Sequence, residues 1–213
     1  MEYSIFDPMQ IRWLPHLSCA KMILSLCLRN ERESMMKTRN LAITATMLAI
    51  ALVFQLGFAQ FSQPLVGPLV NMTLFLTTAL VGIPAGILVG CCTPVAAFVL
   101  GIMPVLPLLP VVAVGNVMLV LLFGLVRYLA GNRKQMKMFR IDIPAVVVAA
   151  LGKFAVLALA IRLFVPLFIP NVAPKIVEAF SLPQLFTALI GGAVALLLLR
   201  LLPAAIVNRR ENK

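Results

Sequence analysis

Charged residues are scarce in this chain of 213 residues, of which only 12% are charged and 62% are hydrophobic. A soluble domain is about 25% charged and about 45 to 50% apolar. The departure excludes a soluble globular domain, and the apolar excess excludes a disordered chain. The sequence therefore predicts an all-α integral membrane protein.

Acidic residues are scarcer still, with 7 Asp and Glu against 18 Lys and Arg, for a net charge of +11. Between residues 41 and 207 the acids are Asp142 and Glu178. Fifteen of the bases fall in three short segments beside hydrophobic runs, at 12–39, 127–140 and 200–213. Bases that flank membrane spans mark the cytoplasmic face, where they lie opposite anionic lipid headgroups. The charge therefore indicates membrane topology and excludes nucleic acid as a partner.

Groups that carry catalysis or bind metals are also few. His16 is the only histidine, and the four cysteines have neither the spacing of a metal site nor that of a disulfide framework. The sequence contains no Walker A motif and no Gly-x-Ser-x-Gly elbow. We therefore expect no enzyme activity, no metal and no cofactor.

The long uncharged runs predict six transmembrane helices in one bundle, because a span needs about 20 apolar residues. The predicted spans are 41–61, 69–82, 84–103, 111–128, 144–165 and 183–202. The Pro-rich segments 62–70, 104–110 and 166–182 are expected to be external loops, and 131–142 a basic internal loop. With both termini cytoplasmic, all three basic segments lie on the same face of the membrane.

The first 35 residues differ from the remainder. The apolar run 19–28 is too short to span a bilayer, so it is either an interfacial helix or part of an extension that precedes a native start at Met35 or Met36. The second interpretation is favoured. The predicted organisation is an extension over 1–35, a membrane domain over 36–207 and a basic cytoplasmic tail over 208–213.

Lys153 is the outstanding candidate for function because it lies deep in the fifth predicted span. A charge at that depth costs at least about 2.5 to 3.5 kcal/mol, so it needs a partner. No acid lies within the spans, which leaves a ligand anion, a backbone carbonyl or water as that partner. Arg162, nearer the outer end, either extends its charge to the membrane surface or contacts a ligand.

A few polar side chains are placed to complete a small-molecule pocket. Asn116 lies about 12 Å below the outer end of the fourth span, and Asn71 and Gln184 are expected at the outer mouths of the second and sixth spans. Gln60, at the end of the first predicted span, and Gln63, in the first external loop, could supply further polar groups.

Small residues at four-residue spacing mark one face of the first span. Ala45 and Ala49, with Ala42 beside them, would let another helix approach closely.

The chain as a whole resembles the substrate-binding S components of energy-coupling factor (ECF) transporters, which are vitamin-uptake members of the ABC class. The resemblance covers 36–207. It rests on the start Met-Lys-Thr-Arg-Asn at 36–40 that leads into the Ala45 and Ala49 pair, the Gly-Ile-Pro-Ala-Gly junction at 82–86, six spans and a lysine in the fifth.

The resemblance implies a mechanism and partners. The face of Ala42, Ala45 and Ala49 would dock onto a transmembrane coupling protein, and two cytoplasmic ATPase subunits would drive the cycle. Substrate would bind near the outside, beneath a lid formed by 62–70. The whole bundle, in a bacterial plasma membrane, would then topple to release it inside.

The residues that this resemblance assigns to the substrate are Asn116, Lys153, Arg162 and Gln184. A lysine without an acidic partner favours a carboxylated substrate, such as pantothenate or another precursor. The alternatives are a self-contained secondary transporter or exporter and, weakened by the scarcity of catalytic groups, a membrane enzyme or scaffold.

Overall fold

A computed structural model describes the backbone of residues 18–58, 63–101, 106–130, 135–163 and 182–202, with side chains over 37–58, 65–101, 106–130, 140–163 and 182–202. These ranges hold six α-helices and no strand. The helices are α1 (Ser18–Gly57), α2 (Gln63–Leu80), α3 (Ile83–Val99), α4 (Leu108–Leu129), α5 (Gln135–Leu163) and α6 (Leu182–Leu201).

Four of the helices are long and apolar enough to cross a membrane. These segments are Lys37–Gly57, Leu108–Leu129, Arg140–Leu163 and Leu182–Leu201. The apolar parts of α2 and α3, Leu65–Leu80 and Ile83–Val99, are shorter, and the 17 residues of α3 extend about 25 Å at 1.5 Å per residue. The all-helical architecture with several spans is confirmed, whereas the count of six spans stays a prediction.

Three of the predicted loops are wrong, because much of each is helical. The segment 62–70 is helical from Gln63 onward, and α4 begins at Leu108, within the predicted turn 104–110. Prolines in the first turn of a helix are tolerated because the N–H groups there have no intrahelical partner. The basic segment 131–142 is helical from Gln135, because polarity by itself does not end a helix. Most of the predicted loop 166–182 lies outside the described residues.

The chain divides into two compact units, Met1–Ala42 and Ile43–Lys213. The described part of the first unit, residues 18–42, is helical, so the run 19–28 is helical as one interpretation expected. Whether 1–35 is interfacial or precedes the native start stays open.

The second unit is built around α2, whose residues 70–79 are all buried. Helix α2 contains no charged residue, as expected of a helix that other helices enclose. Phe75 packs edge-on against Phe123 of α4 with ring centroids 4.9 Å apart. Alanines of α5 and α6, among them Ala149 and Ala195, complete this core. Small residues let the helices approach closely enough to bring buried polar groups within hydrogen-bonding distance of one another.

Candidate functional site

Lys153 is 4% exposed on α5, and it joins three helices. Its Nζ donates to Oδ1 of Asn71 on α2 at 2.7 Å and to Oδ1 of Asn116 on α4 at 2.8 Å. The expectation of a ligand, backbone carbonyl or water as its partner is corrected in part, since two side-chain amides hold the group. Both partners are neutral, and an ammonium group has three N–H donors. The charge of Lys153 is therefore solvated by dipoles and is not neutralised by an acid in the described residues.

Asn116 is oriented by a break in the hydrogen bonds of α3. Pro94 lies inside α3 and has no N–H, so it cannot donate to the carbonyl of Gly90 four residues earlier. Asn116 Nδ2 donates to that carbonyl at 3.0 Å and approaches Thr93 Oγ1 at 3.5 Å. A side chain at Gly90 would begin 3.2 Å from Asn116 Cβ, so the glycine permits the approach. With its Nδ2 held by α3, Asn116 presents Oδ1 to Lys153.

Asn71 is oriented from the other side of the bundle by α6. Its Nδ2 donates to Thr187 Oγ1 at 3.4 Å, and Thr187 Oγ1 donates to the carbonyl of Gln184 at 3.0 Å. The expectation that Asn71 lies at an outer mouth is wrong, because α2 begins eight residues earlier, at Gln63, and Asn71 is 1% exposed. Asn71 lies about 12 Å along the helix from its start.

The hydrogen-bond network of Lys153, Asn71 and Asn116 lies in one half of the bundle. Asn71 and Asn116 each lie eight residues after the first residue of their helix, and Lys153 lies ten residues before the last residue of α5. At 1.5 Å per residue these groups are about 12 to 15 Å from helix ends that border the segments 59–62, 102–105 and 164–181.

Three further residues belong to this network, and the sequence did not single them out as site residues. Thr187 contacts Asn71, Thr93 approaches Asn116, and Gln55 of α1 donates through Nε2 to the carbonyl of Thr93 at 3.2 Å. Pro94, which leaves the carbonyl of Gly90 free, is the sequence signal that could have indicated the contact of Asn116 with α3. By contrast, Thr73, Thr77 and Thr78 donate to carbonyls of their own helix, so they contribute nothing to the network.

The structure does not bring the other predicted contacts into the network. Arg162 is exposed, and nine residues at 100° each place it on the face of α5 opposite Lys153. Gln184 is partly exposed and joins only through its carbonyl. Gln63 is the first residue of α2, but its side chain, like Gln60, lies outside the described residues.

Ala42, Ala45 and Ala49 are exposed, meaning that the chain itself does not cover them. In the second unit this exposed stripe of α1 continues through Val53, 64% exposed, and Leu56, 54% exposed. Thr44, Ala51 and Gln55 form the buried stripe of the same helix. Helix α1 therefore presents an apolar surface of small residues away from the core.

An ion pair joins α4 to α5 at the other end of the bundle. Arg127 Nε lies 3.1 Å from Asp142 Oδ1, and the guanidinium carbon lies 5.4 Å from the centroid of the Phe123 ring. Asp142 is the one acidic side chain in the described residues. It lies eleven residues before Lys153, about 16 Å along α5, so it does not neutralise Lys153.

Close contact of α6 with α2 positions Asn71, and we expect it to be sensitive to added volume. A side chain at Gly191 would begin 2.9 Å from both Asn71 Cβ and Met72 N, and it would meet the carbonyl oxygen of Pro68. Gly191→Val should destabilise the fold by about 1 to 3 kcal/mol, which lowers Tm by roughly 2 to 12 °C in a chain of this size.

The matched control is Gly57→Val, because a side chain there meets nothing within 4 Å. It should shift the free energy of unfolding by no more than about 0.5 kcal/mol. Thermal unfolding in detergent measures both variants, and equal effects would contradict the close α2–α6 contact.

A family model described as "ECF transporter, substrate-specific component" matches residues 39–203, which is more than half of the chain. No curated protein and no solved structure shows a significant match. The match begins where the apolar part of α1 begins and ends just beyond α6. The resemblance found in the sequence is confirmed, and the chain belongs to the family of substrate-specific components of ECF transporters.

Proposed function

We propose that the chain is the substrate-binding subunit of a vitamin or related micronutrient uptake system and that it binds a small carboxylated substrate at Lys153. The observation that carries the proposal is a buried lysine whose described partners are two neutral amides, Asn71 and Asn116. A buried charge without a counter-ion is costly, so it is retained where an ion must be recognised. A substrate carboxylate would supply the missing opposite charge.

The residues around Lys153 favour recognition by charge and amides. The only tryptophan is Trp13, and Tyr128 is 79% exposed near the far end of α4. Among the other side chains that the structure describes, the rings available for stacking on a planar substrate are phenylalanines. This composition supports a carboxylate that is held by hydrogen bonds in preference to an aromatic ligand held between rings.

Entry from outside follows from the orientation that the basic segments predict. If both termini are cytoplasmic, the helix ends nearest Lys153 face outward. Gln63 and Gln184 lie at or near these ends and are proposed as first contacts for the substrate, with Arg162 as an attracting charge. The six-span topology is part of the proposal; α2 is shorter than a full span but is enclosed by other helices over 70–79.

Delivery would require partners. The exposed stripe of α1 with Ala45 and Ala49 is proposed to dock onto a transmembrane coupling protein that is energised by two ATPase subunits. The bundle would topple in a bacterial plasma membrane to release substrate inside.

Copurification tests the proposal directly. The chain purified from its native membrane should carry a small carboxylated molecule, identified by mass spectrometry after denaturation. In liposomes, uptake of that molecule should need the coupling protein, the ATPases and ATP. Uptake by the chain alone, driven by an ion gradient, would instead identify a secondary transporter and contradict the proposal.

A further inference from the structure

Gln55 is a buried amide that is only half satisfied. It is 6% exposed on the core side of α1, and its Nε2 donates to the carbonyl of Thr93 on α3 at 3.2 Å. Its Oε1 accepts no hydrogen bond from the described residues. A single hydrogen bond that leaves one buried acceptor unmet stabilises the contact between α1 and α3 only weakly.

Stability alone does not explain a glutamine at this position. The carbonyl of Thr93 lies inside α3, where the N–H of the residue four positions on already donates to it. A leucine at position 55 would fill the same space without an unmet polar atom, which is the better solution for a core. The side-chain amide of Gln55 is therefore explained better by a role other than packing.

The turn that Gln55 contacts is the turn that orients Asn116. Asn116 Nδ2 donates to the carbonyl of Gly90 and approaches Thr93 Oγ1, and Asn116 Oδ1 accepts from Lys153. A series of hydrogen bonds thus runs from Lys153 to Asn116 and from Asn116 to the side chain of Thr93, whose carbonyl accepts from Gln55. The connection runs from the proposed substrate site to α1.

This turn has two ways to satisfy the carbonyl that Pro94 leaves free. Gly90 O accepts from Asn116 Nδ2 at 3.0 Å and from Thr93 Oγ1 at 3.4 Å. If Lys153 turns toward a carboxylate, Asn116 Oδ1 loses its donor and Asn116 is free to move, while the hydroxyl of Thr93 keeps Gly90 O satisfied. A movement of Asn116 can carry a small shift to α3 and across packed helices.

Gln55 lies on the face of α1 that is turned away from the exposed stripe. Ala51 and Thr44 share its buried face, whereas Ala45, Ala49 and Val53 are exposed. A change in the hydrogen bond between Gln55 and Thr93 therefore acts on the helix that carries the proposed docking surface.

We propose that Gln55 is a positioning residue that transmits the state of the Lys153–Asn116 hydrogen bond to α1. The inference rests on the proposed function for its biological meaning. Substrate at Lys153 would then alter how α1 presents Ala45 and Ala49 to the coupling protein. By linkage, docking would alter substrate affinity by the same factor.

A double-mutant cycle read by hydrogen exchange tests the connection without substrate or partner. The full chain in lipid nanodiscs is compared as wild type, Lys153→Met, Gln55→Leu and the double variant. In the wild-type background, Lys153→Met should lower the protection of amides at 43–57 by about fivefold or more. In the Gln55→Leu background the same replacement should leave that protection unchanged within about twofold.

Arg162→Met is the matched control, since it removes a charge from the exposed face of the same helix and should leave α1 exchange unchanged. An equal effect of Lys153→Met in both backgrounds would overturn the proposal, and so would no effect on α1 in wild type. If Gln55→Leu does not fold, Gln55→Met replaces it in the cycle, because it removes the amide that donates to the carbonyl of Thr93 but keeps the length of the side chain.

Transport separates this inference from the proposed function. Gln55→Leu should keep the affinity of the isolated chain for the copurified substrate within about threefold. With the coupling protein and ATPases present, it should lower uptake at least fivefold. Loss of affinity would make Gln55 a binding residue and overturn the positioning role. Absence of any bound substrate in wild type would contradict the proposed function, whereas the exchange cycle would still decide the role of Gln55.

Discussion

Replacement of Lys153 by methionine is expected to weaken binding of an anionic substrate by at least about 30-fold. Removal of one member of a buried, hydrogen-bonded charge pair costs about 2 to 5 kcal/mol, and methionine keeps the length of the side chain without its charge. Asn71 and Asn116 would keep their contacts with α6 and α3, which are made through Nδ2. Isothermal titration with the copurified substrate measures the change.

Arg140→Met is the control for this variant. It removes the same charge from an exposed position of the same helix, and affinity should stay within about twofold of wild type. Both variants should unfold cooperatively, because loss of a buried charge relieves a desolvation penalty that offsets the lost hydrogen bonds. Unchanged affinity in a folded Lys153→Met protein would remove the case for a carboxylate at this site.

The second large effect is expected on the exposed face of α1. Ala45→Leu with Ala49→Leu should weaken the complex with the coupling protein at least about 30-fold and abolish uptake, while substrate affinity is unchanged. Each leucine adds volume where helices must approach closely, and overpacking costs about 1 to 3 kcal/mol per site. Affinity capture with tagged coupling protein and uptake in liposomes measure the two effects.

The matched control is Ala155→Leu with Ala193→Leu, since both of these alanines are exposed on other helices, α5 and α6. This pair should leave complex formation and uptake near wild type. Equal loss in the two double variants would mean that bulk anywhere on the surface is harmful. Loss of substrate affinity in the α1 variant would show that this face packs within the protein, contrary to its exposure.

Much of the candidate site could be predicted because membrane burial makes polar residues conspicuous. Lys153, Asn116 and Asn71 were singled out in uncharged runs, where each polar side chain needs a partner. Helix boundaries were harder, and two of the three errors share one cause. Prolines at 64, 107 and 110 indicated loops, but the first turn of a helix does not use its N–H groups, so α2 and α4 begin there.

The sequence by itself determined that this is a helical membrane protein with a lysine that cannot remain unpartnered, because both conclusions follow from where charges are absent. Its motifs also carried the resemblance to the ECF substrate-specific family, which the family model matches. Only the tertiary structure decided what Lys153 contacts. Its two amides lie 82 and 37 positions away in the sequence, and their meeting depends on how the helices approach at Gly191 and Gly90. The helix phase then separated Lys153 from Arg162, and Pro94 left the carbonyl of Gly90 to Asn116, because a freed carbonyl attracts whichever donor the packing brings near.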